Sequence, residues 1–189
     1  FNTLNNLYAL TLRNDKQCPD VVLKLSDLLR YGVYEGQNKL VPLASEIAYL
    51  KNYIELQKIR WGNKCELEIE WPTDAENLLI TPMLLIVLIE NAIQYGIEPS
   101  IEKNTVQIQF YLKKVQESYN SKARKHNRYQ LTLVCINPVV NKPDEASGVG
   151  LENLRKRLNL LYPNSHSLMY SEQDNVWRAE LSLILEPAA

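Results

Sequence analysis

Residues 80–96 read ITPMLLIVLIENAIQYG. Met83, Leu84, Leu85, Ile86, Val87, Leu88 and Ile89 make an unbroken apolar run, and Glu90 and Asn91 follow it at once. Such a run belongs in a core, whereas an amide left unpaired in an apolar interior costs roughly 1–3 kcal/mol and an unpaired carboxylate far more. A helix over residues 82–95 puts Val87, Asn91 and Tyr95 in one four-residue ridge and Ile86, Glu90 and Gln94 in the next. Polar groups then mark two adjoining rows and must face water, a metal or a ligand. Two readings stay open here: a core helix that surfaces at its final turn and is capped by Gly96, or a helix whose end lines a site.

The rest of the chain bounds the choice. Of 189 residues, 46% are hydrophobic and 23% charged, enough for one globular domain and an appendage. With 21 basic against 22 acidic side chains the net charge is −1, so electrostatics gives no reason to expect a nucleic acid partner. Cys18, Cys65 and Cys135 are odd in number and widely spaced, which points to reduced thiols serving as small apolar fillers. The apolar run is far short of the ~20 residues that span a bilayer, so the chain itself is expected to be soluble. Its first residues, FNTLNNLYAL, already carry Leu4, Leu7 and Leu10 at helical spacing, as a piece of a longer protein would.

Before residue 62 the pattern is helical. Val21, Val22, Leu25, Leu28, Leu29 and Val33 form one stripe, with Gly32 and Gly36 favouring its end; Pro42 suits the start of a second helix striped by Leu43, Ile47, Leu50 and Ile54. Either the two stripes pack on each other or they form a dimerising pair. From residue 65 the period becomes two: CELEIE, VQIQFYL and LTLVCI alternate, and SLMYS and VWRAELSLIL supply two further strands. Leu151, Leu154, Leu158 and Leu161 stripe a helix stopped by Pro163. The order strand, helix, strand, strand, helix, strand, strand predicts an α+β fold with helices on one face of a mixed, mainly antiparallel sheet. The basic stretch KKVQESYNSKARKHNRY reads as an exposed hairpin connection, and His126 and His166 as solvated or packing residues.

A second element bears on the helix end. ASGVGLENLRKRL sets Gly148 and Gly150 immediately before a helix, where backbone N–H groups and the positive end of the helix dipole attract anions. Together, LLIVLIENAIQYG resembles the N box and GVGLENLRKRL the glycine-rich box of the Bergerat-fold ATP-binding domain. FNTLNNLYAL, LSDLLRYGV and LASEIAYLKNYIELQKIRWG extend the resemblance to LytS/YehU-type bacterial sensor histidine kinases, in which a segment like HFLFNTLN carries the phosphoacceptor histidine.

That resemblance implies a helical dimerisation remnant over residues 1–61 and a two-layer Bergerat-type ATP-binding domain over 62–189, with the acceptor histidine just ahead of Phe1. It implies ATP and Mg²⁺ as cofactors. Asn91 would ligate Mg²⁺, Glu90 would orient or deprotonate the imidazole, and Gln94, Tyr95, Asn137, Gly148, Val149, Gly150, Leu151 and Asn153 would bind ATP. Residues 138–147 would form an ATP lid, and Arg155 and Arg157 would supply positive charge at the phosphates. Partners would be a response regulator of the LytTR type and a second copy of the chain. The fragment would be the cytoplasmic part of an inner-membrane sensor, reaching the membrane only through upstream segments. The family often has Lys-His where this chain has Gln94 and Tyr95, and the Bergerat fold usually has Asp where it has Asn137. Those departures keep open a non-catalytic dimerising scaffold with a decayed ATP site. A clamp-type ATPase is disfavoured because the chain as given lacks the transducer domain such machines use.

Overall fold

The computed structural model of the chain describes residues 4, 7, 8, 11, 12, 16–61, 65–73, 75, 77–97, 104–115, 127–139 and 148–188. Leu4, Leu7, Tyr8, Thr11 and Leu12 are helical. After them come α1 (Cys18–Tyr34), a single 3₁₀ turn (Glu35–Gln37), β1 (Val41–Pro42) and α2 (Leu43–Trp61). The remaining elements are β2 (Cys65–Glu70), β3 (Leu79–Ile80), α3 (Ile86–Gly96), β4 (Asn104–Val115), β5 (Arg128–Pro138), α4 (Gly148–Leu161), β6 (His166–Gln173) and β7 (Val176–Leu185). This is the α+β architecture the periodicities predict.

One sheet organises the second half, in the order β2-β4-β5-β7-β6. β2 and β4 run parallel and every other pair is antiparallel. Its register explains why a single face is dry: Ile69 lies beside Ile108, Ile108 beside Cys135 and Cys135 beside Ala179, while Phe110, Leu133, Leu181 and Leu168 make a second row. Side chains alternate across a strand, so these rows share a face. The opposite face carries Gln109, Tyr111, Thr132, Ser182 and Glu180, with a hydrogen bond of 2.9 Å joining the Thr132 and Ser182 hydroxyls.

The quoted apolar run supplies the other wall of that core. Leu84, Leu85, Leu88, Ile89 and Ile93 are all 0–1% exposed, and each buried side chain of this size contributes roughly 1.5–3 kcal/mol. The same cluster continues without a break into α1 and α2 through Tyr31, Val41, Leu43, Ile47, Leu50, Ile54 and Trp61. A two-residue ladder reinforces the junction, with Val41 paired to Ile80 and Pro42 to Leu79. On α1 only Val21 and Tyr31 are buried; Val22, Leu29 and Val33 from the expected stripe are exposed.

Four boundaries differ from the sequence reading. α3 begins at Ile86 rather than near residue 82, because Met83 takes a left-handed conformation (φ 58°) that no α-helix contains. Gly96 is the last residue of α3 rather than its left-handed cap, and the backbone stays right-handed at the C-cap Ile97. Gly148 and Gly150 form the first turn of α4 instead of preceding it. α1 runs through Gly32 to Tyr34, since an interior glycine only weakens a helix. The middle of the basic connection with His126, and residues 140–147 of the expected lid, lie outside the described residues.

Candidate functional site

α3 is seated by its apolar turns and carries polar groups on the side those turns leave free. Glu90 and Gln94 are exposed, while Asn91 and Tyr95 are half-buried, as the two-ridge reading predicts. The Asn91 amide nitrogen donates to the carbonyl of Val87 at 2.8 Å, four residues back. This turns its Oδ1 into the group free to act, as it accepts no hydrogen bond among the described residues.

The first turn of α4 and the end of β5 both meet α3. A side-chain carbon on Gly150 would stand 3.9 Å from Val87 Cγ1 and 4.0 Å from Asn91 Nδ2, so the first turn of α4 faces the Val87–Asn91 ridge across a gap the missing side chain leaves open. At the far end of the helix, a carbon on Gly96 would come within 2.6 Å of Asn137 Cβ and 2.9 Å of Val106 Cγ2. Only glycine permits that approach, and it brings the end of β5 against the end of α3.

Asn137 is 1% exposed, and its Oδ1 has no hydrogen-bond partner among the described residues; its Nδ2 donates to the carbonyl of Pro138 at 3.0 Å. An orphaned acceptor of this kind costs about 1–3 kcal/mol unless water or a ligand supplies a donor. On α4, Val149, Gly150 and Asn153 are exposed and Leu151 is buried, so the start of this helix presents backbone N–H groups while Leu151, Leu154 and Leu158 hold it down. Gly148 opens the helix. The structure therefore sets Gly150 beside Asn91 and Asn137 beside Gly96, both along α3.

Electrostatics tunes the open side of α3. Surrounding protein displaces enough water to hold the Glu90 carboxyl above the ordinary glutamate range, although the side chain remains exposed. The neighbouring Tyr49 phenol is pushed up to about 12, by burial first and then by the negative charges of Glu90 and Glu46. Among the described residues no cluster of three or more His, Cys, Asp or Glu side chains could hold a metal alone, so a cation at Asn91 would depend on ligand oxygens as well. Two hollows lie away from this helix end: about 440 Å³ on the outer sheet face beside Tyr111 and Arg178, and about 530 Å³ between α1 and α2 beside Tyr31 and Tyr49.

The two arginines expected at the phosphates are engaged elsewhere. Arg157 donates to the carbonyls of Met83 and Pro82, both at 3.1 Å. Arg155 stacks over Tyr170, 5.3 Å from the ring centroid, and donates to its hydroxyl. Both lie a turn or more into α4, beyond the N-terminal turn that faces Asn91. His166 is tied to the Tyr162 carbonyl at 2.7 Å and Cys135 is fully buried, which fits packing roles; all three cysteines are free.

Against known proteins, a family profile described as Histidine kinase matches residues 1–65. The sensor protein LytS of Streptococcus mutans is 27% identical over 186 residues, which cover 94% of this chain and 31% of that protein. The chain is similar in sequence to LytS-type sensor histidine kinases. The sensor histidine kinase/phosphatase LytS of Staphylococcus aureus is 22% identical over 176 residues, 90% of this chain and 29% of its own length. The chain thus spans about a third or less of the LytS proteins it matches. Among solved structures, the catalytic domain of the histidine kinase ThkA has a TM-score of 0.47 at 16% identity, covering 76% of this chain and 92% of that one. The kinase domain of a blue-light activated histidine kinase from Erythrobacter litoralis has a TM-score of 0.48 at 12% identity, covering 97% and 75%. Sequence reasoning missed Glu46 and Tyr31 and misjudged Arg157. The available signal was Glu46 itself, an acid at helical spacing among Leu43, Ile47 and Leu50.

Proposed function

We propose that this chain is the helical and nucleotide-binding part of a two-component sensor histidine kinase. In this reading the kinase phosphorylates a histidine ahead of Phe1 at the expense of Mg-ATP and passes the phosphoryl group to a response-regulator aspartate. The observation that carries the reading is Asn137: a buried amide whose Oδ1 lacks a donor, packed against the end of the helix that bears Glu90 and Asn91. Such an acceptor suits the amino group of adenine.

The residues then take these roles. Asn137 Oδ1 reads the base. Asn91 Oδ1 ligates Mg²⁺, and Gln94 and Tyr95 line the nucleotide. Backbone N–H groups in the first turn of α4, over Gly148, Val149, Gly150, Leu151 and Asn153, meet the phosphates, helped by the helix dipole. Bound Mg-ATP supplies the phosphoryl group and the divalent charge that neutralises it. Glu90, open to solvent and with its proton affinity raised, orients the incoming imidazole and accepts its N–H proton on a carboxylate oxygen. Residues 1–61 would serve dimerisation and phosphotransfer, and 62–189 catalysis. Exposed Val22, Leu29 and Val33 on α1 support a second copy as partner. A LytTR-type response regulator, a cytoplasmic position and a membrane anchor in upstream segments follow from the resemblance alone. Among the described residues no helix is long and apolar enough to cross a membrane.

A scaffold with a decayed site is the second reading, favoured by uncharged Gln94, Tyr95 and Asn137 where the family carries charge. The test uses a protein extended upstream of Phe1 and incubated with γ-labelled ATP and Mg²⁺. Acid-labile label on histidine, lost in Asn91→Ala, is the expected result. An unlabelled protein that binds its second copy normally supports the scaffold, and steady phosphate release without labelling would mean a hydrolase.

A further inference from the structure

α3 starts without a cap of its own. Its N-cap residue Leu85 makes no side-chain hydrogen bond and its first turn holds no acid, yet the N–H groups there must find acceptors. The turn that leads into this helix is held from another one. Glu46 of α2, 0% exposed, takes the Met83 N–H on Oε2 at 3.0 Å, and the same oxygen accepts the Tyr31 hydroxyl of α1. Glu46 Oε1 has no partner within the hydrogen-bond range, so the carboxylate's directed bonds both pass through Oε2. Burial holds the Glu46 carboxyl above the ordinary glutamate range, opposed by the Tyr31 hydroxyl and by the N–H groups of Met83, Leu85 and Leu84. A carboxylate at this place faces the positive end of the α3 dipole.

The other side of the same peptide is held by α4. Arg157 donates to the Met83 and Pro82 carbonyls, and the Thr81 N–H donates to the Tyr162 hydroxyl at 2.9 Å. The Met83 side chain points elsewhere: a side-chain carbon on Gly36 would stand 3.3 Å from Met83 Sδ, so it packs toward the turn after α1. Left-handed Met83 is thus fixed by groups from α1, α2 and α4. Non-glycine residues hold this conformation only where their surroundings impose it.

We propose that Glu46 is a positioning residue for the nucleotide site, holding the Met83 turn that leads into α3 so that the α1–α2 pair sets the placement of Asn91 against Gly150. The proposal rests on the kinase reading for its meaning and on the Met83 geometry for its content. A shift of α2 moves that turn. That shift reaches Glu90 and Asn91 one to two turns further along the same rigid helix, while Arg157 holds α4 to the pivot.

Amide hydrogen exchange followed by mass spectrometry tests it in this chain, with Mg-AMP-PNP titrated in parallel. Glu46→Ala is expected to speed exchange of peptides spanning 81–91 by about fivefold or more, because the buried Met83 N–H loses its acceptor and the turn opens locally, with β5 and β7 unchanged. Nucleotide affinity falls in the same variant. Glu46→Gln keeps an acceptor oxygen and restores slow exchange to within about threefold of wild type. Tyr31→Phe, which removes one hydroxyl and leaves the carboxylate, gives a smaller rise confined to the same peptides and decides the matter should Glu46→Ala not fold. Exchange that rises uniformly across the sheet, no change at 81–91, or a Gln variant that behaves like Ala overturns the proposal. Absence of nucleotide binding by the wild-type chain would defeat the kinase reading, while the exchange pattern would still judge the hold of Glu46 on the Met83 turn.

Discussion

Asn137 separates folding from function at the scale of one side chain. Its buried, unmatched Oδ1 is a cost to the folded chain that a ligand would relieve. Asn137→Leu, close in volume and free of polar atoms, is therefore predicted to melt at the same or a higher temperature while losing Mg-AMP-PNP binding, measured by scanning calorimetry and titration on one preparation. A lower melting temperature with binding intact would mean that the amide serves packing. The resemblance marked this position before its surroundings were visible; the missing partner was not readable, because it depends on which backbone groups reach the end of β5. Glu46 shows the opposite failure. Its spacing among Leu43, Ile47 and Leu50 put it on the buried stripe, but its acceptor role depends on Met83, 37 residues away, which no local pattern connects to it.

Elements were read well where periodicity decides and poorly where tertiary bonds do. Alternation located β2, β4, β5 and β7, because one sheet face is dry and the other wet. Apolar continuity located α3, yet its first residue was missed since the left-handed Met83 is imposed by Glu46 and Arg157 rather than by its own preference. Glycines were read as breaks before α4 when they belong to its first turn, where they leave room beside Asn91. This yields a prediction at the same scale. Gly150→Ala meets Val87 and Asn91 only at ordinary contact distance, so helix propensity should raise stability by up to about 1 kcal/mol. The added methyl occupies the gap the phosphates need, and nucleotide affinity should fall. Urea unfolding and calorimetry on the variant check both halves; a destabilised variant with full affinity would contradict the assignment of this turn.

In the whole molecule, one apolar cluster runs from Tyr31 on α1 to Leu185 on β7. The helical pair and the sheet are therefore mechanically continuous, which is what a signal arriving through helices would need in order to reach a nucleotide site. Fold class was legible from the change of period near residue 65, and the proposed site rests on two short segments that the fold sets close together, Asn91 on α3 and Gly150 on α4. The central claim is that Asn91, Gly150 and Asn137 together receive a magnesium nucleotide. Isothermal titration of the chain with AMP-PNP in the presence and absence of Mg²⁺ measures it directly. Saturable one-to-one binding that needs Mg²⁺ and disappears in Asn91→Ala is the predicted result, and a flat titration of the folded wild-type chain, or binding indifferent to both the metal and Asn91, would contradict it.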